Sequence, residues 1–288
     1  MKRVISNKNL IVSIASVIVI LFLQACTRNN IKEQTQWKSI FDKYHIDSIG
    51  VELADNSHEQ VYYYNLNRLS TRYSPASTFK IVNSLIGLET NVANDEDFII
   101  RWDGKVHERE EWNKDMSMRE AFKVSCVPYY QELARRIGMI DMKQWIDSIK
   151  YGNKQTGSVV DNFWLNDTLQ ISPDEQVGFM KKLYFDKLPF SQRSMRIVRS
   201  MMLQEDSTNY KLYYKTGTNT NQQLTSAWLV GFIEKKEEQI GVLTKKKETN
   251  YKPYFFALHM ETRDTMMNTK QVRLAIMKEI LREKKIIQ

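Results

Sequence analysis

Residues 10–23 are an almost unbroken apolar run, preceded by Lys2, Arg3 and Lys8, and no acidic residue appears before Glu33. As a helix this run would span about 21 Å, short of the roughly 30 Å hydrocarbon core of a bilayer. A basic start with a short apolar core therefore predicts an export signal over residues 1–25 and not a membrane span. Residues 26–36 are polar and predict a tether. Beyond them, residues 50–53 and 61–66 predict two strands joined by a turn near Asn56-Ser57. Ser77 opens an apolar-rich stretch that reaches Leu88, and Ser117-Met118-Arg119-Glu120 has the spacing of a capping box. Pro128 and Gly138 frame a helix over 129–137, and Ser172-Pro173-Asp174-Glu175 starts another toward Tyr184. Strand character returns over 211–215, 227–233, 239–244 and 254–260, and residues 270–284 form an amphipathic closing helix. Strands at both ends with helices between them predict an α/β fold of the α+β type. One antiparallel sheet, assembled from both ends of the chain and flanked by helices, would stand beside a helical lobe.

Composition narrows the class. A chain of 288 residues with 42% hydrophobic and 26% charged residues, 10 Gly and 5 Pro is neither disordered nor collagen-like. Two cysteines exclude a disulfide scaffold, and a mean hydropathy of −0.49 excludes a polytopic membrane protein. Three of the charges behind the net +8 sit in the leader, so the basic balance argues weakly for a nucleic-acid partner, and none is expected. Lys235-Lys236 and Lys245-Lys246-Lys247 stand beside Glu234, Glu237, Glu238 and Glu248, which predicts solvated strand ends or a hairpin turn.

Several familiar motifs are absent. There is no Gly-x-Gly-x-x-Gly, and the Gly152 to Gly157 spacing of a phosphate loop meets Ser158 where Lys is required. His58-Glu59 and His107-Glu108 begin like zinc-protease helices, but Tyr62 and Glu111 occupy the place of the second His. No metal site is expected. Ser77-Thr78-Phe79-Lys80 is more informative. On a helix, Lys80 lies one turn beyond Ser77 on the same face, and the amides of a helix start favour negative charge on an attacking oxygen. A serine needs a base to become a nucleophile, and a lysine can serve once burial or modification changes its character. Alone, this pattern also fits a capping Ser followed by a solvent-facing Lys.

Ser125-Cys126-Val127, Tyr151-Gly152-Asn153 and Lys215-Thr216-Gly217 follow in that order. Together with the tetrad at Ser77 they resemble the serine β-lactamases and penicillin-binding proteins, and specifically the class D β-lactamases. Trp102-Asp103-Gly104-Lys105, Asp161-Asn162-Phe163-Trp164-Leu165 and Ala227-Trp228-Leu229-Val230-Gly231 look like the same family. The resemblance runs from Trp37 to the C-terminus, so residues 37–288 are expected to form the family's domain.

The resemblance implies roles for particular residues. Ser77 would be the acylated nucleophile, and Lys80 would carry a CO2-derived carbamate and act as general base. That carbamate would be the sole modification, with no metal or organic cofactor. Val127 and Leu165 would supply an apolar roof over it, and Trp164 would hydrogen-bond it. Ser125 would relay a proton to the lactam nitrogen. Lys215 would position substrate and protons, with Thr216 and Gly217 lining the pocket. The backbone amides of Ser77 and Thr218 would form an oxyanion hole; many family members carry a bulkier residue where Thr218 stands. Tyr151 and Asn153 would contribute to the substrate side, more as wall than as chemistry. Arg273 would bind the substrate carboxylate through its bidentate fork, with Arg263 and Arg282 as nearby alternatives. Cys126 would be a buried small hydrophobe. Leu23-Gln24-Ala25-Cys26 resembles the lipobox of bacterial lipoproteins, which implies lipid on Cys26 and a periplasmic protein tethered to the outer membrane.

The expected activity is hydrolysis of penicillin-type β-lactams, giving antibiotic resistance, by a monomer or homodimer that touches a membrane only through its anchor. A β-lactam receptor domain that is acylated without turnover is the rival expectation. Such receptors normally add membrane helices and a cytoplasmic protease.

Overall fold

The computed structural model describes residues 30–221, 223–240 and 247–288, so the expected signal, Cys26 and the lipobox lie outside the described residues. The strands are β1 (Ile31–Glu33), β2 (Ser48–Asp55), β3 (Gln60–Tyr64), β4 (Ile99–Ile100), β5 (Met116–Ser117), β6 (Leu203–Asp206), β7 (Tyr210–Asn221), β8 (Leu224–Ile240) and β9 (Lys247–Thr262). The helices are α1 (Lys38–Phe41), α2 (Leu66–Ser70), α3 (Lys80–Glu89), α4 (Met118–Lys123), α5 (Val127–Ile137), α6 (Met139–Ser148), α7 (Pro173–Tyr184), α8 (Gln192–Met202) and α9 (Thr269–Glu283). One sheet runs in the order β1-β3-β2-β9-β8-β7-β6, while β4 and β5 make a separate two-stranded ribbon. Every pairing in the large sheet is antiparallel except β1 with β3. The expected sheet built from both ends of the chain is what forms.

Alternation along β8 explains why 227–233 reads as a continuous apolar run. Trp228, Val230 and Phe232 enter the core shared with the helical lobe, and Ala227, Leu229 and Ile233 enter the core on the other face. Successive strand side chains point to opposite faces, so a strand buried on both is apolar throughout. Trp37, Ile40 and Phe41 near the chain's start join Ile276, Met277 and Ile280 of α9 in the second core. The first core is centred on α3, whose Ile81, Val82, Leu85, Ile86 and Leu88 are all buried.

Two expectations are corrected. Residues 31–33 lie in the expected tether but pair in parallel with β3, and Gln34 donates its backbone N–H to Tyr63 O at 2.7 Å. Segments 227–233 and 239–244 are not separate strands. β8 continues through Lys235-Lys236 to Ile240, pairing with β9 along its length, and 241–246 lie outside the described residues. Helix α8 is an addition the pattern reading did not supply.

Candidate active site

Ser77 sits in a 3-10 turn, Ala76–Phe79, that runs directly into α3. The helix expected from Ser77 therefore forms, with its first turn wound more tightly. Ala76 adopts a left-handed backbone at φ +47°, a conformation that costs a non-glycine residue on the order of 1–3 kcal/mol. Its neighbours hold it there. Ala76 N–H and Ser74 Oγ both donate to Trp164 O, at 3.0 and 2.9 Å, and Thr78 Oγ1 donates to Pro75 O at 2.7 Å. The loop carrying Trp164 thus clamps the turn carrying Ser77.

Lys80 lies one turn on, 1% exposed, with Nζ donating to Ser77 Oγ at 2.8 Å. Nζ also stands 5.3 Å from the centre of the Tyr130 ring. Burial disfavours the ammonium and pushes its pKa down from 10.5 to about 7. A solvent-facing lysine is excluded, and the neutral amine is far more accessible near pH 7 than in an exposed lysine.

Ser125 reaches the site through the end of α4. Its N–H donates to Phe122 O at 3.2 Å and Cys126 N–H to Ala121 O at 2.8 Å, with Ser125 at φ +57°. This is the left-handed cap that usually takes glycine. A serine here retains a hydroxyl, and that hydroxyl accepts from Lys215 Nζ at 2.9 Å. Lys215 also donates to Thr216 O at 3.1 Å and stands 5.5 Å from the Phe122 ring centre. Its ammonium is held well below the usual lysine range, by burial first and then by Lys80, Arg273, Lys270 and Arg109.

Strand β6 pairs with β7 only as far as Tyr213, so the edge from Lys215 onward faces the Ser77 turn. Gly217 permits that approach: a Cβ there would lie 2.9 Å from Pro75 O and 3.2 Å from Thr78 N. Arg273 of α9 is 3% exposed, and its Nη1 donates to Gly217 O and, at 3.0 Å, to Thr218 Oγ1. Its Nε is buried without a partner, and burial pushes the guanidinium down from 12.5 to about 9. A cleft of about 410 Å³ opens above these groups, lined by Ser77, Ser125, Val127, Lys215, Thr216, Thr218 and Arg273 among others. That size suits a drug-sized ligand.

Not every expected residue reaches the cleft. Tyr151 and Asn153 do not line it, which corrects their assignment to the substrate side. Tyr151 is buried with its hydroxyl 3.1 Å from Gln176 Nε2, and Asn153 is tied to Thr168 O and to the Gln170 N–H. Gly152 between them sits at φ +52°, where a Cβ would fall 2.0 Å from Gln170 O, so this motif closes the loop that bears Trp164. Trp164 stacks on Phe79 at 5.2 Å, and Leu165 O accepts from Asn219 Nδ2 at 3.2 Å, so both back the site instead of lining it. Arg263 is paired with Asp47, and neither it nor Arg282 lines the cleft. Trp102 lines a neighbouring cavity, whereas Trp112 lines this one. Cys126 is buried and free, its thiol pushed up by burial. Residues the pattern reading missed include Tyr130, whose helical spacing from Val127 was a usable signal, and the basic residues Arg109, Lys123 and Lys270.

The penicillin binding protein transpeptidase domain family matches residues 38–282. Beta-lactamase OXA-48 of Klebsiella pneumoniae is 36% identical over 258 residues, covering 89% of this chain and 90% of its own. The crystal structure of a class D beta-lactamase from Sebaldella termitidis superposes with a TM-score of 0.80 at 32% identity, over 90% of this chain and 99% of its own. The C-terminal domain of the Bacillus licheniformis BlaR penicillin-receptor superposes with a TM-score of 0.79 at 30% identity, over 90% of this chain and 98% of its own.

Proposed function

Because the chain belongs to the class D serine β-lactamases, we propose that it hydrolyses penicillin-type β-lactams through an acyl-enzyme on Ser77, with an N-carboxylated Lys80 as general base, and so protects its host from these drugs. The observation that carries this reading is the buried Lys80 amine 2.8 Å from Ser77 Oγ, its pKa lowered by that burial to about 7. The surroundings suit a carbamate: CO2 adds only to a neutral amine, and Val127, Tyr130 and the Phe79–Trp164 stack make the neighbourhood apolar and aromatic. The adduct would supply an anionic oxygen base for both acylation and deacylation.

The chain's own groups do the rest. Arg273 and Thr218 receive the substrate carboxylate. Ser77 Oγ attacks the lactam carbonyl once its proton is drawn away on the Lys80 side. The backbone amides of Ser77 and Thr218 take the developing oxyanion, and Ser125 passes a proton to the leaving nitrogen, replenished from Lys215. Arg273→Ala should raise KM for penicillins about ten- to a hundred-fold while lowering kcat much less, as expected for a charge-assisted hydrogen bond made before and during reaction. Michaelis kinetics that show the deficit at Arg263→Ala instead would identify the wrong arginine.

A second reading, an acylated receptor without turnover, is favoured by the likeness to the BlaR penicillin-receptor domain. A chromogenic cephalosporin separates the two. Many turnovers per protein support the hydrolase, and one stoichiometric burst supports the receptor.

Export and lipidation complete the proposal. The Leu23-Gln24-Ala25-Cys26 sequence after an apolar run supports a lipid anchor, and Thr27 in place of Asp supports the outer membrane of a Gram-negative host, facing the periplasm. Cys26→Ser should release the protein from membranes with hydrolysis intact. Membrane partitioning that persists in the substituted protein would rule the anchor out.

A further inference from the structure

The cleft above Ser77 carries more positive charge than one substrate carboxylate engages. Arg109, Lys123, Lys215, Lys270 and Arg273 all line it, and no Asp or Glu does. Three of these five are occupied. Lys215 is bonded to Ser125 and Thr216 O, Arg273 to Gly217 O and Thr218, and Arg109 is paired with Glu111 and packed 5.0 Å over Trp112. Lys123 and Lys270 are exposed and have no ion-pair partner among the described residues. Exposed lysines elsewhere are paired in some cases, as Lys43 is with Glu279, and unpaired among the described residues in others, as at Lys150 and Lys154. What distinguishes Lys123 and Lys270 is their place on the cleft lining.

Lys270 is also badly located for the helix that bears it. It is the second residue of α9, whose first turn holds no acidic residue, and a helix start repels cations. Its position therefore does not serve helix stability. The field of Lys270 reaches the reacting groups, since it, like Arg109, disfavours the Lys215 ammonium. A cleft lined by one sign of charge between apolar walls, here including Trp112 and Met267, concentrates ligands of opposite sign.

We propose that this site selects β-lactams bearing a second anionic group on the side chain, held at the rim by Lys123 and Lys270 while Arg273 takes the carboxylate of the ring system. The proposal rests on acylation at Ser77, and its test uses the acylation rate so that it holds for hydrolase and receptor alike.

Two penicillins that differ only in an α-carboxylate on the phenylacetyl side chain would be compared. Their second-order rate constants for acylating Ser77 would be followed by intact-protein mass spectrometry or by competition with a reporter substrate. In wild-type protein the dianion should acylate faster at low ionic strength, and the advantage should shrink toward unity in about 1 M salt, where the screening length falls to about 3 Å. Lys123→Gln and Lys270→Gln should each reduce the dianion-to-monoanion ratio roughly two- to five-fold, the range of a single exposed charge pair. The double substitution should reduce it about ten-fold, since the two sites lie on different elements and should act nearly independently. A wild-type ratio at or below unity, a ratio unmoved in the double variant, or equal losses on both penicillins would each overturn the proposal. Absence of acylation by either penicillin would instead overturn the assignment of Ser77.

Discussion

Lys80→Ala should lower penicillin turnover about 10²–10⁴-fold, the usual worth of a positioned general base, and leave a long-lived acyl-enzyme on Ser77. Lys80 Nζ is the one basic atom hydrogen-bonded to Ser77 Oγ among the described residues. Removing it should slow acylation and, more severely, leave no group to activate the hydrolytic water. Intact-protein mass spectrometry after penicillin addition should show a persistent mass increase in the variant and a transient one in the wild type. The pH dependence follows from the same atom. Burial lowers the Lys80 pKa from 10.5 to about 7, so between those values the unfolded chain binds more protons than the folded one. Stability should therefore rise with pH across that window, with the cost of burying the ammonium complete below about pH 7. The carbamate forms only on the neutral amine, so at low CO2 activity should be weak and its acid limb should lie near pH 7. CO2 competes with the proton for Nζ, and added bicarbonate should move that limb to lower pH, as any ligand of one protonation state does. A carbon-13 signal from labelled CO2, present in the wild type and absent in Lys80→Ala, would report the adduct directly. Full turnover in Lys80→Ala, or an acid limb indifferent to bicarbonate, would sink the mechanism.

The parts of this site legible in the sequence are those set by short-range geometry. Ser77 and Lys80 are three residues apart on what had to be a helical turn, and a Pro75–Ala76 entry does not disturb that spacing. Lys215 and Gly217 fall at the same parity of β7, and the demand for glycine at 217 comes from contact with the Ser77 turn. The Ser125 position was legible as a motif but not as a conformation. That it caps α4 in a left-handed conformation depends on bonds to Ala121 and Phe122 that chemistry at the serine does not imply. The basic rim was not legible at all, because Arg109, Lys123 and Lys270 come from a loop and from the ends of two helices that only the tertiary packing brings together. Helix α8 left a signal that went unread: Ser191 caps it by accepting from Ser194 N–H, and Met195, Val198 and Met201 recur at helical spacing on its buried face. Strand β1 left none, since Ile31-Lys32-Glu33 is short, polar and exposed, and it pairs only because β3 offers an edge.

Ser125→Ala and Lys215→Ala should each lower kcat/KM for penicillins about 10²–10⁴-fold, and the double substitution should be no worse than the poorer single one. The reason is that the two side chains make one device. Ser125 Oγ accepts from Lys215 Nζ at 2.9 Å, which leaves the Ser125 hydrogen free to point at the departing lactam nitrogen. As that hydrogen leaves, Nζ can replace it along the bond already formed. Burial, helped by Lys80, Arg273, Lys270 and Arg109, holds the Lys215 ammonium well below its usual range, so its proton is released more readily than from an exposed lysine. Neither half works alone: without Ser125 the lysine has no acceptor that leads to the substrate, and without Lys215 the serine has no source of a second proton. Independent contributions would instead multiply, giving a double variant weaker than either single one by the product of their losses. Measuring kcat/KM for the four proteins of this cycle, with near-ultraviolet circular dichroism to verify that each keeps its tertiary packing, distinguishes the two cases. Multiplicative losses would mean that Ser125 and Lys215 act on the substrate separately, and that the 2.9 Å contact between them carries no proton.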